Sequence, residues 1–255
     1  MPPRPSGKAR SLFDVYAHEY DLLTAAAARE PHHDKEVAAL VERFAPKSVL
    51  DAGCATGLTS MLFARRGIST VGYDRSRSMI DQARKKYGES GYDLEFKVGD
   101  FQRIPKAMHG KFDLVVCLAN SIAGLETRAA LQRGLKNFHD VLVPGGALVI
   151  QMLNFGAIKE GQLFPIKATV NEGVIWERFY ERRRSTYILY ATRLDTNATP
   201  PSLEVFRHHF DNFTRDEVIK ALKFSRFRSL ECYSDLRLVS PFDKKKRDLV
   251  IVAPK

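Results

Sequence analysis

The stretch VLDAGCATG, residues 49–57, joins an apolar run to a turn of small residues and then to a helical pattern. The small residues at positions 53, 55 and 57 let a ligand approach the backbone closely, because larger side chains would occupy the ligand's volume. In α/β sheets, ligands bind where the carboxyl ends of the strands meet. The stretch therefore predicts a strand, a ligand-binding turn and the start of a helix, in that order.

An acidic residue, Asp74, ends the next apolar run, 21 residues after Gly53. At the end of a second strand, such a side chain can accept hydrogen bonds from both ribose hydroxyls of a nucleoside. The turn has neither the G-x-G-x-x-G spacing of a dinucleotide site nor the G-x-x-x-x-G-K-[ST] pattern of a phosphate loop. Together these features predict a nucleoside ligand without a pyrophosphate group.

Around this stretch, β-branched runs alternate with helical patterns, which is typical of a parallel sheet with helices on both faces. The predicted strands are Ser48–Asp51, Thr70–Asp74, Leu94–Gly99, Asp113–Leu118 and Ala147–Leu153. The predicted helices are Lys35–Phe44, Leu58–Arg66, Ser78–Tyr87 and Ala129–Leu142, the last ended by Pro144-Gly145-Gly146. Right-handed crossovers make this a doubly wound, Rossmann-like arrangement.

The second half of the chain has a different spacing of apolar residues. Apolar and polar residues alternate at period two, which predicts an antiparallel β insertion over Lys167–Asn171, Val174–Arg182, Thr186–Leu194 and Leu203–Phe213. Thr214 and Glu217 form a capping box for a helix through about Phe224, and two closing strands follow at Arg228–Tyr233 and Asp248–Ala253. The expected fold class is α/β, with a mostly parallel seven-stranded sheet and an antiparallel β insertion in the C-terminal half.

The composition excludes several classes of protein. The chain has 255 residues, 44% hydrophobic and 27% charged, which fits one globular α/β unit with an elaboration. Its apolar stretches are far shorter than the roughly 20 residues that span a bilayer, and the first residues contain no apolar signal core. We therefore expect a cytoplasmic protein without a membrane partner. Three widely separated cysteines predict neither a disulfide framework nor a zinc site, and no metal site is expected.

The net charge of +10 raises the question of a nucleic-acid partner. The excess is spread over short basic runs at Arg4–Arg10, Arg84–Lys86, Arg182–Arg184 and Lys244–Arg247. Such runs are usually solvated faces or turns. A nucleic-acid partner is therefore the less favoured hypothesis.

Taken in order, these features resemble the class I S-adenosylmethionine-dependent methyltransferases, whose first motif is D-x-G-x-G-x-G. In this chain Ala55 stands in place of the middle glycine. The resemblance covers at least residues 12–153 and rests on Tyr16 with Tyr20, the Gly53–Gly57 turn, Val71–Asp74 with Ser76 and Met79, Gly99–Phe101, and Phe112–Val116. It implies S-adenosylmethionine as cofactor and S-adenosylhomocysteine as product.

The resemblance also implies roles for individual residues toward the cofactor. Asp74 is expected to hold the ribose, Asp100 the adenine amino group and Phe101 the adenine face. The Gly53 backbone is expected to hold the methionine part, and Arg29 the cofactor carboxylate. The full set implied for the cofactor is Tyr16, Tyr20, Arg29, Gly53, Ala55, Gly57, Asp74, Arg75, Met79, Asp100, Phe101 and Leu118.

Within that class, residues 117–122 resemble the L-G-N-S-F stretch of glycine N-methyltransferases and related amine methyltransferases. This places Asn120 beside the reacting sulfonium as the candidate catalytic and acceptor-binding residue, with an amide oxygen that can orient an amine. Residues 153–155 resemble their R-N-Y, but Leu153 stands where those enzymes carry an arginine for the substrate carboxylate, which argues against a free amino acid as acceptor. Asn154 and Tyr180 complete the expected acceptor-binding set.

The leading hypothesis is a methyltransferase that acts on a small molecule, at an amine nitrogen rather than a hydroxyl oxygen, by in-line displacement with catalysis mainly by positioning. An RNA or protein methyltransferase that uses the basic surface is an alternative. Against it, the end of the fourth strand lacks [DNS]-P-P-[YFW], and no proline precedes Cys117. A third hypothesis is a non-catalytic cofactor-binding protein, which the departures at Ala55 and Leu153 keep open. The sequence does not indicate an oligomeric state.

The patterns and the resemblance together divide the chain into four segments. Residues 1–45 form an N-terminal helical or lid segment, and residues 46–155 form the cofactor-binding core. Residues 156–213 form the antiparallel insertion on the acceptor side, and residues 214–255 form the C-terminal helix and closing strands. His208 and His209 are expected on opposite faces of an insertion strand, so that at most one of them faces a cleft.

Overall fold

The structure is a computed structural model that describes residues 11–125, 127–183, 186–211 and 213–255. The basic run at 4–10 and the end of the run at 182–184 lie outside these residues. The described strands are β1 Ser48–Ala52, β2 Ser69–Asp74, β3 Leu94–Val98, β4 Phe112–Cys117, β5 Leu142–Leu153, β6 Leu163–Asn171, β7 Val174–Arg183, β8 Thr186–Asp195, β9 Ser202–Asp211, β10 Glu231–Tyr233 and β11 Asp248–Pro254. They form two sheets of different topology.

The core sheet has seven strands in the order β10-β11-β5-β4-β1-β2-β3. Strands β1 to β5 run parallel to their neighbours, whereas β11 pairs antiparallel with β5 and β10 antiparallel with β11. The second sheet is antiparallel throughout, in the order β6-β7-β8-β9. This arrangement confirms the expected fold class of a mostly parallel seven-stranded sheet with an antiparallel insertion.

Helices cover both faces of the core sheet. The helices that do so are α3 Ala26–Phe44, α4 Leu58–Ala64, α5 Arg77–Tyr87, α6 Arg128–Val141 and α7 Arg215–Phe224, whereas α1 Leu12–Val15 and α2 Tyr20–Thr24 precede them in the chain. Successive residues of β4 alternate between two apolar clusters: Leu114 and Val116 pack with α3 and α4, whereas Val115 packs with α6 and α7. A strand buried on both faces explains why β4 is a continuous apolar run.

The second sheet packs against the core sheet with one of its faces. Tyr180 of β7 and Tyr187 of β8 belong to the same apolar cluster as Val115 of β4. Farther along the same strands, Trp176 and Ala191 pack against the N-terminal segment, defined here as residues 11–25, which contains α1 and α2. The N-terminal segment therefore lies on the second sheet.

Several boundaries differ from the sequence predictions, each for a local reason. Helix α3 begins at Ala26 rather than at residue 35, because the left-handed Ala25 (φ 51°) ends α2 and lets a new helix start at once. Helix α6 ends at Val141, and Pro144–Gly146 are not its stop signal; they lie within β5, where the register against β4 shifts. Strand β10 is shorter than predicted because Ser229 is left-handed (φ 51°).

Within the described residues, no helix is both long enough and apolar enough to cross a membrane.

Candidate cofactor and acceptor site

The turn after β1 has left-handed backbone at each of its small residues. Gly53, Ala55 and Gly57 have φ values of 85°, 48° and 86°. A methyl group at Gly53 would lie 2.5 Å from the Ser121 Oγ atom, so only glycine lets this turn approach the chain that follows β4. Ala55 adopts the conformation that the middle glycine of the motif would adopt, at a cost on the order of 1 kcal/mol. The departure from the motif thus leaves the shape of the turn unchanged.

Asp74, at the end of β2, is fixed against this turn. Its Oδ2 accepts the Ala55 N–H at 3.0 Å, and its Oδ1 accepts the Ser76 N–H at 2.9 Å. A carboxylate has about four acceptor sites, so each oxygen keeps capacity for a further donor. Burial raises the pKa of Asp74 above its usual value, even though the two N–H groups and Arg75 act in the opposite direction.

Asp51 precedes the turn and points into the core instead. It is 2% exposed, and its Oδ2 accepts the Ser60 hydroxyl of α4 at 2.6 Å. Burial, reinforced by the charge of Asp74, raises the pKa of Asp51 to about 7. The first acidic residue of the motif therefore joins the strand to the following helix, while Asp74 presents the charge at the strand end.

The N-terminal segment is attached to the core beside this turn. The Ser76 hydroxyl donates to Asp14 at 2.7 Å, and the Thr56 hydroxyl donates to Asp21 at 2.6 Å. Lys86 of α5 forms an ion pair with Asp21. The segment therefore covers the ends of β1 and β2.

The same segment is attached to the second sheet by a half-buried polar cluster. Glu19 accepts the Trp176 indole N–H at 2.7 Å and the Arg193 Nε–H at 2.9 Å. The Tyr16 ring contacts Trp176 edge to face at 5.2 Å between centroids, and its hydroxyl donates to Glu204 of β9. The Tyr16 hydroxyl is thus bonded to the second sheet, and the expected contact of Tyr16 with the cofactor stays a prediction.

Tyr20 lies between the two sides of the site. Burial raises the pKa of Tyr20; the charges of Arg29 and Arg178 act to lower it, and that of Asp74 acts to raise it. The Nε atom of Arg29 is buried and has no hydrogen-bond partner among the described residues. A buried, unpartnered guanidinium nitrogen near the expected cofactor site fits a ligand with a carboxylate.

The residues expected around the adenine lie at the ends of β2 and β3. Met79 is 2% exposed at the start of α5, and Arg75 is exposed beside it. Asp100 follows β3, where its Oδ1 accepts the Gln102 N–H at 2.8 Å, and the Phe101 ring packs on Phe138 at 5.3 Å between centroids. The structure therefore brings the predicted adenine-binding residues to the same edge as Asp74.

Asn120 connects three elements at the end of β4. Its backbone is left-handed (φ 73°), a conformation that asparagine tolerates better than most residues. Its Nδ2 donates to the Tyr180 hydroxyl at 3.1 Å, and its Oδ1 accepts the Leu153 N–H at 3.1 Å. The amide oxygen that was expected to orient an amine is thus bonded to the end of β5. Burial raises the pKa of Tyr180 to about 12, so its hydroxyl remains protonated at neutral pH.

Leu118 and Asn154 occupy different positions relative to Asn120. Leu118 follows β4, and its carbonyl accepts the Ser121 hydroxyl at 2.9 Å, beside Gly53. Asn154 is 9% exposed, and its Nδ2 donates to the carbonyls of Lys244 and Lys246 at 2.9 and 3.0 Å. Both of its amide hydrogens hold the basic turn, and the expected contact of Asn154 with the acceptor stays a prediction.

Arg178 is a site residue that the sequence analysis missed. It lies between Trp176 and Tyr180, at the inward positions of β7, and its Nε atom is buried without a hydrogen-bond partner in the described part of the chain. The sequence of β7 could have indicated Arg178, because the period-two pattern puts this charged residue at an inward position, where charged residues are unusual. Asp21 and Glu19 were missed as well, because their partners lie far away in the sequence.

Two cysteines lie near the turn after β1 and at the end of β4. Cys54 and Cys117 are buried free thiols, and burial raises the pKa of both. Within the four described ranges, no group of three or more His, Cys, Asp or Glu side chains has a geometry that could hold a metal ion.

The turn, the anchored Asp74 carboxylate and the unpartnered Arg29 fit a nucleoside that bears an amino-acid carboxylate, which is the make-up of S-adenosylmethionine. Residues 49–146 match the family model described as a methyltransferase domain. Together with the fold, this match agrees with the resemblance of the chain to the class I S-adenosylmethionine-dependent methyltransferases and with S-adenosylmethionine as cofactor.

Comparisons with curated proteins agree with this class. The chain is 27% identical over 154 residues to a glycine/sarcosine N-methyltransferase of Halorhodospira halochloris, a match that covers 57% of each chain. It is 31% identical over 110 residues to a ubiquinone biosynthesis O-methyltransferase of Pseudomonas paraeruginosa, covering 43% of this chain and 46% of that relative. The chain spans about half the length of the curated relatives it matches.

Solved structures show the same fold over nearly the whole chain. A methyltransferase from Clostridium acetobutylicum has a TM-score of 0.76 at 17% identity, covering 95% of this chain and 98% of its own. CalS10, an amino pentose methyltransferase from Micromonospora echinaspora with bound S-adenosylmethionine, has a TM-score of 0.72 at 21% identity, covering 97% and 99%. The likeness includes the second sheet, because the coverage extends beyond the core sheet.

Proposed function

We propose that this protein transfers the methyl group of S-adenosylmethionine to the amine nitrogen of a small-molecule acceptor. The observation that carries the proposal is the pair of fixed groups on opposite sides of the site, Asp74 at the end of β2 and the Tyr180 hydroxyl bonded to Asn120 at the end of β4. One suits the ribose of the cofactor, and the other is a neutral polar group suited to an acceptor.

On the cofactor side, each residue has a task that its environment supports. Asp74 accepts hydrogen bonds from the ribose hydroxyls with the capacity that its two backbone partners leave free. Arg29 pairs with the cofactor carboxylate through a guanidinium that has a buried, unpartnered Nε. Phe101 contacts the adenine face, and the left-handed turn lets the methionine part approach the Gly53 backbone.

On the acceptor side, Tyr180 makes the contact and Asn120 positions it. The Tyr180 oxygen accepts a hydrogen bond from Asn120, so its own proton is free to be donated to an acceptor. Asn120 is held in turn by the Leu153 N–H, which fixes the amide orientation. Asn120 is therefore a positioning residue, and Tyr180 is the residue that contacts the acceptor.

The reaction needs little help from a base. When bound, S-adenosylmethionine supplies an electrophilic methyl group, and a neutral amine is already a competent nucleophile. His208 lies against the rings of Phe13 and Phe210, whereas His209 on the other face is exposed. Orientation by Tyr180 and exclusion of water by the N-terminal segment supply the catalytic effect, since fixed geometry can contribute on the order of 7–11 kcal/mol.

The names of the matched proteins support a small-molecule acceptor without choosing the atom that is methylated. An N-methyltransferase and an O-methyltransferase match at similar identity, and sugar and amino pentose methyltransferases share the fold. The preference for nitrogen rests on the likeness of the Asn120 segment to that of the amine methyltransferases.

Two measurements test the proposal in sequence. Calorimetric titration with S-adenosylmethionine, S-adenosylhomocysteine and, as control, NAD should give binding of the first two only. Methyl-labelled cofactor is then incubated with a metabolite extract divided into amine-containing and amine-free fractions. Label in the amine fraction supports the proposal; label only in the amine-free fraction makes the protein an O-methyltransferase. Cofactor binding without any transfer supports a non-catalytic protein instead.

A further inference from the structure

The inward face of β7 carries an arginine between two buried aromatic residues. Trp176 and Tyr180 are 1% and 5% exposed, and Arg178 has the same parity along the strand. Its Nε atom is buried and has no hydrogen-bond partner among the described residues. Burial lowers the pKa of Arg178, but a guanidinium does not lose its proton in proteins. The positive charge therefore stays and needs a negative partner.

The groups that act most strongly on Arg178 supply no negative charge at neutral pH. Tyr20 and Tyr180 are phenols whose pKa burial raises, so both are uncharged. Arg29 and Arg247 carry charge of the same sign. A buried charge without a counter-ion is costly to the folded protein. Because the Arg178 charge lies next to the proposed binding site, its lack of a counter-ion indicates that a bound ligand supplies the negative charge.

The proposed cofactor contact accounts for Arg29, one of the half-buried arginines with a buried, unpartnered Nε atom. The proposed function assigns the cofactor carboxylate to Arg29, and this leaves Arg178 without a counter-ion. Arg178 lies on the acceptor side, because it is two residues, about 7 Å, along β7 from Tyr180, whose hydroxyl contacts Asn120.

We infer, on the basis of the proposed function, that Arg178 binds an oxyanion of the acceptor, a carboxylate or a phosphate group. The planar guanidinium matches either group with two parallel hydrogen bonds. Together with the Tyr180 hydroxyl, it holds the acceptor at two points and orients the amine. The anion is then bound from the second sheet, not from the end of β5, where Leu153 carries no charge.

The test uses acetate and inorganic phosphate as probes of the full-length protein bound to S-adenosylhomocysteine. The melting temperature is measured against anion concentration at constant ionic strength. We expect at least one of the two ions to raise it by a few °C, and the ion that does so identifies the class of oxyanion. Arg178→Met should abolish the rise, and Arg178→Lys should retain part of it. The control is Arg207→Met, which removes an exposed arginine on β9 and should leave the rise unchanged.

A second readout separates anion binding from a structural role. In the absence of any ligand, Arg178→Met should melt a few °C above the natural protein, because it removes an uncompensated charge. A structural arginine would give a lower melting temperature, and that result would overturn the inference. The inference also fails if neither ion stabilises the natural protein, or if Arg178→Met keeps the full response. Binding of S-adenosylmethionine and of S-adenosylhomocysteine to each protein is measured by calorimetry. Absence of cofactor binding contradicts the proposed function. Normal cofactor binding without a response to either anion contradicts only the role of Arg178.

Discussion

The Tyr180 hydroxyl lies 3.1 Å from the Asn120 amide nitrogen, and through this bond the second sheet reaches the carboxyl end of β4. The two residues are far apart in the sequence, and each is fixed by its own surroundings: Tyr180 by burial and Asn120 by the Leu153 N–H. The bond places a neutral hydroxyl group at the edge where the other site residues meet.

Removing that hydroxyl tests its role in binding the acceptor. In Tyr180→Phe, we expect cofactor affinity to be unchanged and methyl transfer to fall by about tenfold, which corresponds to about 1.4 kcal/mol, since one orienting hydrogen bond is lost. The measurement is the initial rate of label transfer at saturating cofactor. Tyr190→Phe is the matched control, because the Tyr190 hydroxyl donates to Glu181 at 2.8 Å and should not affect transfer. Equal rates in both variants would contradict the assignment.

The Asp74 carboxylate should dominate cofactor affinity. Asp74→Ala removes the acceptor of the ribose hydroxyls, and we expect binding to weaken by about 2–3 kcal/mol, or about 30- to 150-fold in Kd. Calorimetric titration with S-adenosylhomocysteine measures the loss. Asp81→Ala, at an exposed position on α5, serves as the control. Unchanged affinity in Asp74→Ala would show that the site lies elsewhere.

The buried Asp51 should make stability depend on pH. Its folded pKa of about 7 lies above the ordinary value of 3.8, so between these values the folded protein holds a proton that the unfolded chain has released. The free energy of unfolding therefore falls as pH rises through this window, and the loss is complete above the folded pKa. Asp51→Asn, which still accepts from Ser60, should remove this fall.

Urea unfolding at about pH 4.5 and about pH 7.5 provides the measurement for Asp51. The free energy of unfolding of Asp51→Asn minus that of the natural protein should be larger at the higher pH than at the lower pH. The expected increase is a few kcal/mol, on the order of the pKa difference converted to free energy. The exposed Asp93→Asn serves as the control and should follow the natural protein. If the stability of Asp51→Asn has the same pH dependence as that of the natural protein, Asp51 is ionised in the folded state.

The Asp21 contacts should slow the release of the cofactor. Asp21→Ala breaks the bond from Thr56 and the ion pair with Lys86, so the N-terminal segment is held less firmly over the turn. We expect cofactor dissociation about fivefold faster, for a loss of about 1 kcal/mol, as measured by stopped-flow displacement. Asp140→Ala breaks an ion pair with Lys136 on α6 and should leave the rate unchanged. An unaltered rate in Asp21→Ala would mean that this segment does not retain the ligand.

Asn154 offers a choice between a structural and an acceptor-binding role. Asn154→Ala leaves two backbone carbonyls of the turn at 244–247 without their donor, and we expect a loss of about 1–3 kcal/mol in stability. Trypsin should cut faster at that basic turn, while cofactor binding is unchanged. Asn197→Ala, which loses a bond to the Glu172 carbonyl in an exposed hairpin, is the control. Normal resistance to trypsin together with lost methyl transfer would favour the acceptor role.

Local patterns in the sequence were sufficient for the core sheet and for the turn beside Asp74. The turn at 53–57 and Asp74 are each decided by their neighbours in the chain, and the structure brings them together as expected. Period-two alternation likewise identified β6 to β9. The division into four segments and the cytoplasmic location stay predictions.

The acceptor side could not be predicted in the same way. The bond between Asn120 and Tyr180 and the burial of Arg178 depend on how the second sheet packs on the core sheet, which no local pattern specifies. The pairing of the Tyr16 hydroxyl with Glu204, 188 residues away, depends on the same packing. Asn154 shares its position with a family motif, yet its partners are carbonyls of a turn near the C-terminus.

The attachment of the N-terminal segment at both ends has a thermodynamic consequence. Because one segment bonds to the cofactor turn through Asp21 and to the second sheet through Glu19, a ligand on either side that favours its closed position also favours binding on the other. Cofactor and acceptor should therefore bind with positive cooperativity, and linkage requires each to tighten the other by the same factor.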